Sequence, residues 1–303
     1  MCIRDSLQGE PSVTLPSELR GGDEMGGLGR YGTAALHCSD VAEANGALVP
    51  LQTALEPIES CAPFVLRRLV SATPKHLRRE GPKPNPFLPW DQRLEVERLG
   101  SSHLLLLNKF PVQRGHLLLI TQQWRPQSGW LEPSDWQQLA RVDAETPGLW
   151  FFNSCPEAGA SQPHRHLQLL PRLPNEEICP LQASIAAQLA GDEEPWPWRY
   201  QISRRTQHEG PAASKELEEL YQEHAARLGL GNANTAERPQ APYNVLISPE
   251  WFMTVARVKE HAAGFSVNAL GFAGYLLLTE GSDATWLRSN GALALLRSVA
   301  MAP

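Results

Sequence analysis

The sequence predicts an α+β fold with a mostly antiparallel sheet, and three observations carry that prediction. Apolar runs of strand length recur, such as Ser102–Leu107 and Gly115–Thr121, and are too short for ordinary helices. Segments with helical periodicity are interspersed among them. Connections are short, and strands do not alternate with helices in a βαβ rhythm, which disfavours a parallel doubly wound sheet. The chain has 303 residues, 42% hydrophobic and 20% charged, enough for a large core in one broad domain or two. No tandem repeat of fixed period is present.

The elements follow in order. Residues 1–44 show no clear periodicity: Gly21, Gly22, Gly26, Gly27 and Gly29 cluster among polar residues, and Met1–Ser6 resembles translated adapter sequence. This stretch is expected to be disordered or a non-native extension. From about residue 45 the pattern sharpens. Pro63–Leu69 reads as a helix or strand edge, and Lys75–Pro89, rich in proline and basic residues, as a loop. Ser102–Leu107 and Gly115–Thr121 read as strands joined by a turn opening at Asn108–Pro111. Ser134-Asp135-Trp136-Gln137 is a capping-box pattern, and Trp136, Leu139 and Ala140 then fall on one helical face. Leu149–Phe152 is a strand leading into Asn153. Gln182–Ala190 is a helix with Gly191 as its C-cap, and Lys215–Leu228 a second, closed by Gly229. Tyr243–Ile247 and Trp251–Val258 are strands, Ser266–Gly274 is a small-residue turn, and Trp286–Ala300 is a last helix. The expected organisation is a catalytic domain over 45–190, a helical and linker segment over 191–240, and a C-terminal unit over 241–303.

Bulk properties exclude several classes. The net charge is −6 with no long basic block, which disfavours a nucleic-acid partner. No apolar run approaches the ~18 residues that span a bilayer, so no membrane partner is expected. No apolar stretch follows Arg4 and Asp5, so no secretory signal is read and cytoplasm is the expected location. The five cysteines are odd in number and none has C-x-x-C spacing, which points to free thiols.

The strongest functional signal is Ser161-Gln162-Pro163-His164-Arg165-His166-Leu167-Gln168. Pro163 and Pro171 bracket a short extended segment, in which alternate side chains share a face. His164, His166 and Gln168 then form one row, with Arg165, Leu167 and Leu169 opposite. The preceding loop, Ala158-Gly159-Ala160-Ser161, is small enough for backbone N–H groups to approach an anion. Three chemistries suit the row. Two imidazoles can share a metal, but a hydrolytic zinc site takes three protein ligands, and no carboxylate or cysteine accompanies this pair. A hydrogen-bonded core pair is the plain structural reading. The third is covalent catalysis: neutral imidazole is a good nucleophile at pH 7, and a phosphohistidine divides a nucleotidyl transfer into two displacements. Loop amides and Gln168 would then hold the non-bridging oxygens.

This run resembles the H-x-H-x-Q signature of the transferase branch of the histidine-triad superfamily. Asn85-Pro86-Phe87, Leu107-Asn108-Lys109-Phe110, His116-Leu117-Leu118, Phe152-Asn153, Pro242-Tyr243-Asn244 and Asn268–Gly274 fit one family in order, the diadenosine tetraphosphate phosphorylases or ATP adenylyltransferases. The resemblance runs from about residue 45 to the C-terminus. It implies a HIT-like fold, with helices flanking the sheet and a C-terminal α+β extension. It also implies reversible phosphorolysis of diadenosine tetraphosphate to ATP and ADP through an AMP-histidine. By this resemblance His166 is the nucleophile, and His164 positions it and the phosphates. Gln168, Asn153, Gly159, Ala160, Ser161 and Gln162 line the phosphate path. Lys75, Asn108 and Lys109 contact substrate, and Ser266 and Asn268 form a second group of nucleotide contacts. The partners implied are nucleotides and phosphate, acting on a monomer. No tightly bound cofactor is expected beyond Mg2+ carried by the polyphosphate.

Rival readings remain beside this one. A dinucleoside polyphosphate hydrolase carries a third histidine where this chain has Gln168, which cannot titrate and so favours transfer to phosphate. A hexose-1-phosphate uridylyltransferase commonly has proline where Arg165 stands. A silent nucleotide-binding module would not need the intact row. Lys75, Arg78, Arg79 and Lys83 also read as a solvated face, and Asn108–Lys109 as turn chemistry. His103 and His116 read as structural. Trp124, Trp130, Trp136, Trp196 and Trp198 read as core or interface.

Overall fold

The computed structural model describes residues 25–71 and 85–303. The chain runs through α1 (Gly29–Ala44), β1 (Thr53–Leu55), β2 (Val65–Leu69), β3 (Glu95–Leu99), β4 (His103–Leu107) and β5 (Leu117–Thr121). It continues through α2 (Pro133–Glu145), β6 (Gly148–Asn153), β7 (His166–Pro171), α3 (Gln182–Ala190), β8 (Tyr200–Arg204) and α4 (Gly210–Arg227). The C-terminal part contains β9 (Tyr243–Ile247), β10 (Trp251–Ala256), β11 (His261–Ala262), β12 (Phe265–Ser266), α5 (Ala269–Phe272), β13 (Tyr275–Leu278), α6 (Ala284–Asn290) and α7 (Ala292–Val299).

Eight strands form one antiparallel sheet in the order β3-β4-β5-β7-β6-β9-β10-β8. The predicted α+β class is therefore the one found. β9 pairs with β6, so residues expected in two units share a single sheet. A second sheet, β1-β2-β13, contains one parallel pair, β13 with β2.

Strand alternation sorts the core into two layers. Trp150, Phe152, Leu167, Leu169, Val245 and Ile247 face α2 and α4, packing with Trp136, Leu139, Leu217 and Tyr221. Leu149, Phe151, Leu170, Leu246, Met253 and Val255 face the opposite side, with Ile185, Phe272, Leu295 and Val299. The central strands are buried along their whole length, which explains their nearly continuous apolar runs.

Several local expectations are corrected. Residues 29–44 are a helix and not a disordered stretch: Tyr31, Ala35, Leu36 and Ala42 are buried. Thr146 Oγ1 accepts the backbone N–H groups of Tyr31 and Gly32 at 3.0 and 3.2 Å, meeting donors that a helix start leaves unpaired. Half of the buried stripe is alanine or glycine, and Ser39 is polar, so it carries little hydrophobic periodicity. The capping box of α2 is Glu132 with Asp135, two residues before the predicted Ser134, because Pro133 already occupies the first turn. The expected terminal helix is two helices, broken at Gly291. The turn at 266–274 contains the short α5. No helix among the described residues is long and apolar enough to cross a membrane.

Candidate active site

A cleft of about 2220 Å³ opens on the side of the sheet away from α2 and α4, and Gln168 and Phe151 form part of its wall. β1, β2 and β13 form another part through Thr53, Arg67 and Tyr275. His116, Asn108, Asn153 and Gly159–Pro163 line it, as do Ser266 and Asn268.

His166 opens β7 and is 3% exposed; like His164 it is not itself among the residues lining the cleft, although Gln168, two residues further along β7, is. Its Nδ1 lies 2.8 Å from the carbonyl oxygen of His164. A carbonyl only accepts, so Nδ1 carries the proton and Nε2 keeps its lone pair. No group among the described residues hydrogen-bonds that Nε2. Burial pulls the pKa of His166 from 6.5 to about 4, against the raising effect of the His164 carbonyl, so the ring is neutral at pH 7. Phe87 covers it at a centroid distance of 5.5 Å.

His164 differs from its expected place. It precedes β7, forms an isolated bridge with Pro126, and is fully buried. Its Nε2 donates to the Thr121 carbonyl at 2.8 Å, and its Nδ1 accepts from Asn85 Nδ2 at 3.0 Å. Asn85 is oriented by Phe87 N–H, which donates to Asn85 Oδ1 at 3.0 Å. Both ring nitrogens are thus occupied by protein, and His164 is not among the residues lining the cleft. Its ring anchors the backbone whose carbonyl sets the His166 tautomer.

Gln168 is oriented from behind. His116 Nε2 donates to Gln168 Oε1 at 3.1 Å, while His116 Nδ1 accepts from Val112 N–H at 3.5 Å and Asn108 Nδ2 at 3.3 Å. With its oxygen engaged, Gln168 has its amide N–H groups to offer as donors. Burial lowers His116 to about 3, so it stays neutral. His116 therefore does more than the structural role expected of it.

Asn153 ends β6, and its Oδ1 accepts from Asn244 Nδ2 at 2.8 Å and Ala269 N–H at 2.9 Å. That leaves the Asn153 amide nitrogen as its free donor. Gly159 has φ +89°, and a Cβ there would lie 2.6 Å from Asn268 Cβ, so only glycine lets the loop approach Asn268 this closely. Ala160, Ser161 and Gln162 continue this wall.

The remaining expected contacts divide. Asn108 lines the cleft, but its amide is used in the turn, accepting from Phe110 N–H at 3.0 Å. Lys109 is not a cleft residue: it is exposed, with Nζ 5.9 Å from the Phe110 ring centroid. Adjacent turn residues diverge, so the neighbour of a lining residue need not line. Ser266 Oγ bonds Glu260, and Asn268 caps α5 through Leu270 N–H at 3.0 Å, both at the cleft wall. Lys75 lies outside the described residues, as do Arg78, Arg79 and Lys83. Trp130, Trp136, Trp196 and Trp198 are buried as expected, but Trp124 is 50% exposed, lining the cleft edge-on to His164.

Gln127 has no sequence signal and is central. Its Oε1 accepts His166 N–H at 2.8 Å, and its Nε2 donates to the carbonyls of Asn153 and His166 at 2.7 and 3.2 Å. One buried amide thus ties the His166 end of β7 to the Asn153 end of β6. Beneath the row, Arg165 pairs with Asp135 at 3.0 Å and Glu132 at 3.1 Å, and Asp135 also meets His103 Nε2 at 2.8 Å.

An Ap4A phosphorylase N-terminal domain model matches residues 29–187, and an ATP adenylyltransferase C-terminal domain model matches residues 194–302. The chain belongs to the Ap4A phosphorylase family. Two yeast relatives from Saccharomyces cerevisiae are similar in sequence. Diadenosine 5',5'''-P1,P4-tetraphosphate phosphorylase 2 is 37% identical over 112 residues, 32% of this chain and 34% of the relative. Protein APA1 is 31% identical over 121 residues, 36% of this chain and 38% of the relative. The chain spans about a third of the length of these curated relatives in the matched stretches. Crystal structures of yeast Ap4A phosphorylase Apa2 share the fold. One superposes with a TM-score of 0.67 at 20% identity, covering 90% of this chain and 98% of that one. Another, in complex with Ap4A, gives 0.65 at 21% identity, covering 88% and 96%. The α+β architecture expected from the sequence is the fold these structures share.

Proposed function

We propose that this protein is an ATP adenylyltransferase that cleaves diadenosine tetraphosphate with inorganic phosphate, giving ATP and ADP. The observation that carries the reading is the 2.8 Å bond from His166 Nδ1 to the His164 carbonyl, which leaves a neutral Nε2 as the nucleophile. In the first displacement Nε2 attacks the α-phosphorus, a P–N bond forms, and the P–O bond to the β-phosphate breaks, releasing ATP. In the second, a phosphate oxygen attacks the same phosphorus, the P–N bond breaks, and ADP leaves with His166 restored. The Nδ1 proton stays in place throughout, and the His164 carbonyl stabilises the positive charge on the modified ring. Gln168, Asn153 and the loop Gly159–Gln162 donate to the non-bridging oxygens. Neutral Gln168 cannot take a proton from an attacking water, which favours an acceptor that is already anionic. Magnesium would come with the polyphosphate and needs no protein cage. The net charge of −6 favours small-molecule partners over nucleic acid, and we read the protein as a cytoplasmic monomer.

The decisive experiment supplies diadenosine tetraphosphate with and without phosphate and identifies products. ATP plus ADP, formed only with phosphate, is expected; ATP plus AMP in its absence would make the protein a hydrolase. His166→Ala should abolish turnover while nucleotide binding stays within a few fold. Near-normal phosphorolysis by that variant would remove the covalent mechanism.

A further inference from the structure

Four arginines are buried among the described residues: Arg165, Arg172, Arg205 and Arg257. They divide by side of the sheet. Arg165 pairs with Asp135 at 3.0 Å and Arg205 with Asp143 at 2.9 Å, both carboxylates on α2. Arg172 and Arg257, on the cleft side, have no carboxylate within 4 Å among the described residues.

Arg257 is fully buried, and all its acceptors are neutral. Its Nε donates to the Val299 carbonyl at 3.1 Å, and its Nη2 donates to the Lys259 and Val267 carbonyls, each at 2.8 Å. Its Nη1 donates to the Ala158 carbonyl at 3.4 Å and to Asn244 Oδ1. Burial lowers its pKa to about 10, with Glu260 the main opposing charge. Glu260 is itself engaged by Ser266 Oγ and lies 3.4 Å from His261 Nδ1. A buried cation whose hydrogen bonds all go to neutral acceptors, and whose nearest opposing carboxylate among the described residues lies beyond ion-pair distance, is costly. An anionic ligand that supplies the counter-charge offsets that cost.

The contacts of Arg257 point to the ligand. Ala158 precedes Gly159, Val267 precedes Asn268, and Asn244 holds Asn153 Oδ1 at 2.8 Å. Those three neighbours line one end of the cleft. A planar guanidinium can serve five acceptors from one rigid fork; an ammonium has three donors and cannot.

We propose that Arg257 is a positioning residue for the polyphosphate: it holds Ala158, Asn244 and Val267 in register, and its charge, only partly balanced by Glu260, is further compensated by phosphates bound at Asn153 and Gly159–Gln162. This rests on the nucleotide reading above and deepens it. The residue touches no reacting atom, and it acts through the loop and through its field.

The test compares wild type with Arg257→Met and Arg257→Lys, binding adenosine, AMP, ADP and ATP by calorimetry at low and high salt. Arg257→Met is expected to bind adenosine within about twofold of wild type and AMP about tenfold more weakly, the scale of one unit charge at roughly 10 Å in an effective dielectric of 20. The loss should grow with each further phosphate. Arg257→Lys keeps the charge and loses the fork, so its ATP-to-adenosine affinity ratio should stay within about threefold of wild type while kcat falls about tenfold. An equal loss for adenosine and ATP in Arg257→Met, or no loss, would overturn the proposal. Should Arg257→Met fail to fold, a collapsed ratio in folded Arg257→Lys overturns it and a preserved ratio with lowered kcat supports it. A wild-type protein that binds none of the four ligands removes the nucleotide reading and this inference together; a loss independent of phosphate removes this inference alone.

Discussion

Gly159→Ala probes the close approach that builds one wall of the cleft. Gly159 sits at φ +89°, where an L side chain costs about 1–2 kcal/mol. The new Cβ would also lie 2.6 Å from Asn268 Cβ, 2.8 Å from Asn268 Cα and 3.1 Å from the Val267 carbonyl oxygen. Two of these contacts are with backbone, so one segment must shift, at about 1–3 kcal/mol. The expected destabilisation is therefore about 2–5 kcal/mol, read from urea melts. A shift of the Gly159–Gln162 wall by even part of an ångström should lower the phosphorolysis kcat about tenfold or more. Gly191→Ala is the control: its φ is +75°, but nothing lies within 4 Å of the new Cβ. It carries the backbone term of about 1–2 kcal/mol alone and should leave kcat unchanged. If Gly159→Ala proves as stable as Gly191→Ala and fully active, the close approach does not shape the site.

Four further outcomes are expected. Stability should fall with acid: burial lowers His116 to about 3 and His166 and His224 to about 4, from 6.5, so the unfolded chain binds protons below pH 6.5 that the folded chain refuses. Stability present above pH 6.5 is lost as pH drops towards 4, and the acid limb of kcat/KM should follow unfolding; a melting midpoint unchanged between pH 7 and 5 contradicts this. Gln168→Ala should cost on the order of 10²–10³ in kcat as a lost transition-state donor. His116→Phe should cost about tenfold by releasing the Gln168 amide, and the double variant should be no slower than Gln168→Ala; full additivity in rates would separate the two residues. Arg165→Met strands the buried Asp135 and should lower stability by about 3–5 kcal/mol in chemical denaturation; a loss below 1 kcal/mol would show that His103 and the Glu132 N–H suffice for that carboxylate.

Legibility followed sequence distance and side-chain size. β4, β5, β6, β9 and β10 were readable because burial on both faces demands unbroken apolar runs. The edge strands β3 and β8 were missed because their half-exposed residues, Glu95–Leu99 and Tyr200–Arg204, carry no such run. α1 was missed because its buried face, Tyr31, Gly32, Ala35, Leu36, Ser39 and Ala42, has only two large apolar side chains and so leaves a weak apolar stripe. His116 was undervalued because its partner, Gln168, is 52 residues away.

The sequence by itself placed His166 and Gln168 on one strand face behind a loop at Gly159, since a strand's period of two and a glycine's backbone freedom are properties of a few consecutive residues, while the choice among the three chemistries came from the family resemblance. Only the tertiary structure decided which nitrogen of His166 is free, which way Gln168 points and what holds Asn153. Those depend on Thr121, Asn85, His116, Gln127 and Asn244, brought from distant segments by the pairing of β5, β6, β7 and β9. Hydrogen bonds are directional and short, so their partners are settled by where the sheet places each strand, after the hydrophobic pattern has already been satisfied.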